Sequence, residues 1–182
     1  MFDTEQSSFY VQQSMYRIMD LSDAESYQNR FFAFCLRPYT PDKRLEMIEY
    51  FIYNLHQNGL KLGLIVIDGI RDLIRDINSA DEATMISSKL LKWTEETGCH
   101  ILNVIHENKA GGEGARGHLG TELINKAETI LRIEKLESQT SVSKLSAEMT
   151  RGIDFEDIYF TVNSNIPMVV DHNSVNIDID GL

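Results

Sequence analysis

Apolar and polar positions divide the chain into short runs and amphipathic stretches that alternate. Phe31 to Leu36 (FFAFCL) is a compact apolar run of strand length. Thr40-Pro41-Asp42 then reads as a helix start, with a capping residue, a proline whose fixed φ suits the first turn, and an acid near the positive helix end. Leu45, Ile48, Ile52 and Leu55 recur at helical spacing, with Met47 and Phe51 beside them, and Gly59 is a natural stop. Leu62 to Asp68 (LGLIVID) is nearly continuous in apolar residues, as in a strand covered on both faces. Ser79-Ala80-Asp81-Glu82 forms a capping box, and it opens a helix carrying Met85, Ile86, Leu90 and Trp93 that stops near Gly98. Cys99 to His106 (CHILNVIH) is a further strand.

Strands and helices alternating at this spacing predict an α/β fold with a mainly parallel sheet flanked by helices. The last third differs. Thr129 to Glu134, Ser141 to Met149, Asp157 to Val162 and Met168 to Val170 are strand-like, with no long helix between them. They predict antiparallel strands at the C-terminal edge of that sheet. There is no repeat, low-complexity tract or linker, so residues 1–182 read as a single domain.

Composition narrows the picture. Apolar residues make up 42 % and charged residues 25 % of the 182, as in a water-soluble globular domain. The net charge of −11 argues against a surface built for bulk binding to phosphate backbones or anionic membranes, but leaves room for a local basic loop. Cys35 and Cys99 give no disulfide framework. No apolar run approaches the ~20 residues of a membrane span, and the acidic N-terminus is unlike a signal peptide. A cytoplasmic location is expected.

In open parallel sheets, ligands gather at the carboxyl ends of strands. Asp68 closes Leu64-Ile65-Val66-Ile67, a pattern that places a carboxylate beside Mg²⁺ through a bound water; it is equally the pattern of an Asp that turns the chain. Glu5, in Phe2-Asp3-Thr4-Glu5, could polarise an attacking water or be a solvated terminal acid. His106 comes after Ile101 to Ile105 and could contact a phosphate or be a surface histidine. It forms no metal-ligand spacing with His100 or His118. Glu107 to Gly117 (ENKAGGEGARG) is glycine-rich and carries Lys109 and Arg116, with His118 just beyond, as a nucleic-acid loop or a plain flexible one. Its Gly112-x-Gly114-x-x-Gly117 begins too far from the strand to be a dinucleotide fingerprint. Arg151 stands before Gly152 between two predicted strands. No Gly-x-Ser-x-Gly elbow exists, and the cysteines lie inside predicted strands rather than at helix starts, so nucleophilic hydrolase chemistry finds no support.

Taken in order, Phe2-Asp3-Thr4-Glu5, Leu64 to Gly69, Leu102 to Lys109 and Gly117 to Ile133 resemble the RecA-like ATPase core over residues 1–163. The resemblance points to RepA-type and DnaB-type hexameric helicases of plasmids and mobilizable transposons. It implies ATP and Mg²⁺ as cofactors. Glu5 would activate water, Asp68 would hold Mg²⁺ through water, and His106 would sense the γ-phosphate where relatives more often have Gln. Lys109, Arg116 and His118 would belong to the DNA-contacting loop, and Arg151 would reach a neighbouring subunit's nucleotide. Met149 stands where relatives often carry Lys.

One departure is large. No Gly-Lys-Ser or Gly-Lys-Thr occurs in the chain, so the backbone nest and lysine that grip the β/γ-phosphates are not among these residues. The expectation is therefore an N-terminally incomplete core, with Met1 as an internal start, an artificial truncation point or the start of a shortened gene product. It would come from an ATP-dependent, DNA-acting motor or mobilization protein of a mobile element, acting as a homo-oligomer (a hexameric ring in relatives) on single-stranded DNA, with no membrane contact. Alone it would be ATPase-deficient. Two alternatives stand beside this. One is a non-catalytic RecA-like module for protein interaction or self-assembly. The other is weak, salt-sensitive nucleic-acid binding without ATP through Lys109 and Arg116. Residues 171–182 alternate in character without an assignable role.

Overall fold

A computed structural model describes residues 1–22, 30–107, 117–136 and 141–171. The chain divides into two compact units, residues 1–126 and 127–182.

The first unit holds β1 (Phe2–Asp3), α1 (Ser8–Ser22), β2 (Phe34–Cys35), α2 (Pro41–Gln57), β3 (Leu64–Asp68), a 3-10 turn (Ile70–Leu73), α3 (Ala80–Thr97), β4 (His100–Val104) and α4 (Gly117–Lys126). Its sheet has the order β2-β1-β3-β4, and every pair is parallel. The register sets Phe2 beside Phe34 and Ile67, and Asp3 beside Asp68, with β3 and β4 matched from Leu64–His100 to Asp68–Val104.

Side chains alternate between the faces of a sheet. One face therefore carries Phe2, Ile65 and Ile67, and these pack with Ile48 and Ile52 of α2 and Ile86, Leu90 and Trp93 of α3 into one core. Phe34 stacks against both Phe2 (ring centroids 5.2 Å) and Phe51 (4.0 Å). The opposite face carries Asp3 and Asp68 and leaves Leu64, Leu102 and Val104 exposed. Among the described residues β4 borders this sheet.

The caps match the sequence with two differences. Ser79 Oγ accepts the Glu82 N–H, as a capping box requires, but the Glu82 carboxylate turns to the amides of Arg75 and Asp76 (2.9 and 3.0 Å) instead of reaching back to Ser79. Thr40 holds the capping position of α2 in extended backbone, yet its hydroxyl makes no capping bond. Gly98 ends α3 at φ +65°.

The second unit is a four-stranded antiparallel sheet, β5 (Thr129–Lys135), β6 (Val142–Thr150), β7 (Ile158–Asn163) and β8 (Ile166–Val169), in sequential order. The predicted antiparallel strands are thus present and bond to one another in a sheet of their own. Ser164 and Asn165 both take positive φ (49° and 66°) between the paired Asn163 and Ile166, the two-residue turn that suits the twist of a hairpin. Val142 and Tyr159 form its small core, with Leu136 and Val170 against them. No helix of the described residues is long and apolar enough to cross a membrane.

Candidate functional site

The site is built on one of the two shortest strands. β1 is central in the sheet but only two residues long, so side chains largely fix the course of the backbone beyond it. Asp3 is wholly buried, and its Oδ1 accepts the amides of Glu5 (3.0 Å) and Gln6 (2.7 Å), turning the chain sharply after the strand. Its Oδ2 is buried without a hydrogen-bond partner. Thr4 N donates to Asp68 O (3.1 Å), the last rung between β1 and β3.

Glu5 then emerges above the strand ends. Its Oε2 lies 3.5 Å from His106 Nε2, just beyond β4. Asp68, half-buried, stands at the end of β3. Burial is the main force pushing its carboxyl above the ordinary range, and the carboxylates of Asp3 and Glu5 add to it; a hydrogen bond from the Gln6 side chain and the nearby His106 pull the other way. Three residues far apart in sequence, Glu5, Asp68 and His106, therefore meet at the carboxyl ends of β1, β3 and β4.

Gly69 lets them do so. Its φ is +85°, and a Cβ there would lie 2.2 Å from Thr4 Oγ1, 2.9 Å from Glu5 Cγ and 3.1 Å from Glu5 Oε1. The Thr4-Glu5 segment occupies the space that any side chain would need. Sequence reading singled out Glu5 but not Asp3 or Thr4. The available signal was the glycine directly after a strand-ending acid, which marks close backbone approach.

The remaining candidates lie elsewhere. Lys109 and Arg116 fall outside the described residues. His118 is exposed on the first turn of α4. That helix docks where Leu119 N donates to Ile77 O, and Gly117, at φ +70°, leaves no room for a Cβ against Ile77 O. Arg151 belongs to the second unit, exposed in the turn after β6, where its amide donates to Glu128 O (3.0 Å).

Among the described residues no three His, Cys, Asp or Glu side chains are grouped to hold a metal ion directly. Acidic groups this close do suit a hydrated cation, and Mg²⁺, which keeps several waters and leans on phosphates, fits such a place. The Asp3 oxygen left without a partner, and the carboxylates that add to the effect of burial on Asp68, are features a cation here would relieve.

No family model matches the sequence, and no curated protein matches it either. The structure is similar to the crystal structure of the RadB recombinase, with a TM-score of 0.59 and 15 % identity over 93 % of this chain and 77 % of that one. At that identity the likeness concerns architecture: the chain has a RecA-like α/β fold, a parallel sheet flanked by helices with an antiparallel sheet after it.

Proposed function

We propose that the ends of β1, β3 and β4 are the hydrolytic centre of a RecA-like, ATP-driven module that acts on DNA. The observation that carries this reading is the meeting of Glu5, Asp68 and His106 over three adjacent parallel strands, with Asp68 near enough to the Asp3 and Glu5 carboxylates to feel their charge. Magnesium, when bound with its nucleotide, would neutralise the developing charge on the transferred phosphoryl group. Asp68 would hold the ion through water. Glu5, exposed and reaching outward, would accept the proton of the attacking water. His106, within reach of Glu5, would report the state of the γ-phosphate to the loop after it.

The wider reading rests on the resemblance in sequence. Lys109, Arg116 and His118 would contact single-stranded DNA. Arg151 would serve a neighbouring copy in a homo-oligomeric ring, and both units would work as one ATPase core. The setting would be cytoplasmic replication or mobilization of a mobile element. Because the 182 residues hold no Gly-Lys-Ser or Gly-Lys-Thr, we expect these residues alone to bind Mg·ATP weakly and turn it over slowly or not at all. The same fact favours a second reading, a non-catalytic module for protein interaction or self-assembly.

Titration with a fluorescent ATP analogue, with and without Mg²⁺, separates the two. Weak, saturable, magnesium-dependent binding that Asp68→Ala removes supports the hydrolytic centre. Equal signals for wild type and Asp68→Ala overturn it and leave the interaction module. Robust turnover by the wild-type chain would overturn the expected deficiency.

A further inference from the structure

The strand ladder cannot by itself hold Glu5, because its last rung is at Thr4 N. Two side chains continue the attachment: Asp3, which accepts the Glu5 and Gln6 amides, and Thr4. Thr4 Oγ1 lies 3.0 Å from Asp68 O, 2.9 Å from Gly69 O and 3.2 Å from Asp72 Oδ2. One hydroxyl proton meets three acceptors, all on the segment leaving β3. Asp72 sits in the 3-10 turn after Gly69, and Arg71 approaches its other oxygen at 3.9 Å from the solvent side.

Behind Asp72 lies Arg44 of α2, whose side chain is only 13 % exposed. Its guanidinium uses every nitrogen. Nη1 donates to Asp72 O (3.0 Å) and lies 3.6 Å from Asp72 Oδ2, Nε donates to Leu36 O (3.1 Å) and Nη2 to Arg37 O (3.0 Å). Leu36 N in turn donates to Asp3 O (2.7 Å). In the order β2-β1-β3, Leu36 and Arg37 leave the sheet on one side of β1 and Asp72 on the other. One planar, rigid donor set therefore ties together the two segments that flank the end of β1. A lysine, with a single nitrogen, could not span them.

We propose that Arg44, Asp72 and Thr4 form a positioning relay that sets where Glu5 stands beside Asp68. None of the three is a catalytic residue. They act through the backbone and through the seat that Gly69 leaves open. The relay's importance for turnover rests on the hydrolytic reading above, but its mechanical action does not.

The test uses the full chain and no nucleotide, so the fate of the hydrolytic reading is decided separately. Backbone ¹⁵N relaxation gives the order parameters of Glu5 and Gln6 in wild type, Thr4→Val and Thr4→Ser. In Thr4→Val they should fall measurably below the wild-type values, although Asp3 Oδ1 still accepts both amides, while α3 stays rigid. Thr4→Ser, which keeps the hydroxyl, should retain the wild-type values. Unchanged order parameters in Thr4→Val overturn the proposal, and so does an equal fall in both variants. Should Thr4→Val not fold, Arg44→Lys decides: a fall confined to Glu5 and Gln6 supports the relay, and no fall overturns it.

Discussion

Replacing Gly69 by alanine tests the packing at the strand ends most directly. Two costs arise at once. The backbone at φ +85° disfavours any residue with a Cβ, by about 1–2 kcal/mol. The new methyl would also lie 2.2 Å from Thr4 Oγ1, so the hydroxyl must leave and its hydrogen bond, worth about 0.5–1.5 kcal/mol net, is lost. Together these predict a loss of about 1.5–3.5 kcal/mol, or roughly 5–10 °C in Tm. Gly59→Ala isolates the first cost, because Gly59 has φ +79° and open space around it. Gly63→Ala, with open space and no positive φ, should be neutral or slightly stabilising. Trp93, the only tryptophan and buried in the core of the first unit, reports urea unfolding of that unit by fluorescence. If Gly69→Ala costs no more than Gly59→Ala, then Thr4 and Glu5 do not lie over Gly69 and the geometry of the site falls with them.

Single residues give two further outcomes. The Asp68 carboxyl is pushed upward in the fold, so between its ordinary value of about 3.9 and its folded value the native state holds more proton than the unfolded chain, and stability falls as pH rises through that window. Asp68→Asn removes this loss: urea unfolding should find it more stable than wild type at pH 7, with the difference shrinking as pH falls through that window and levelling off below about 3.9, and an equal difference at pH 7 and pH 3 would contradict the cause assigned. Ser79→Ala deprives the Glu82 amide of its capping acceptor and should cost about 1 kcal/mol by the same assay; no loss would mean that the Glu82 carboxylate, bonded to Arg75 and Asp76, holds the turn without the cap.

The periodic parts of the fold were legible because burial wrote them. Ile48 and Ile52, or Ile86, Leu90 and Trp93, repeat at helical spacing since that face alone meets the sheet. α1 could not be read the same way: only Val11 of its fifteen residues is buried, and Phe9, Tyr10 and Tyr16 point to solvent. α4 hid behind a glycine-rich stretch and buries only Leu119 and Gly120. The run Phe31 to Leu36 predicted a longer strand than the two residues that pair, because ring stacking on Phe34, as much as strand pairing, accounts for its apolar character. Which strands share a sheet is a matter of long-range pairing, and local pattern carries no record of it. At the site, the strand-ending Asp68 was visible as a pattern, whereas Thr4, Arg44 and Asp72 are ordinary residues whose significance exists only once three segments are brought together.

The border of the parallel sheet has a consequence for handling the protein. Among the described residues no strand bonds to the outer side of β4, and its own Leu102 and Val104 are exposed; a strand left without a partner is the kind of edge on which copies of a chain adhere. A net charge of −11 opposes that adhesion, yet its reach shrinks from about 30 Å at 0.01 M salt to about 8 Å at physiological strength. Light scattering should therefore rise with ionic strength if that strand is open: dilute buffer would keep the molecules dispersed, and concentrated salt would let them clump through the strand that carries His106 into place.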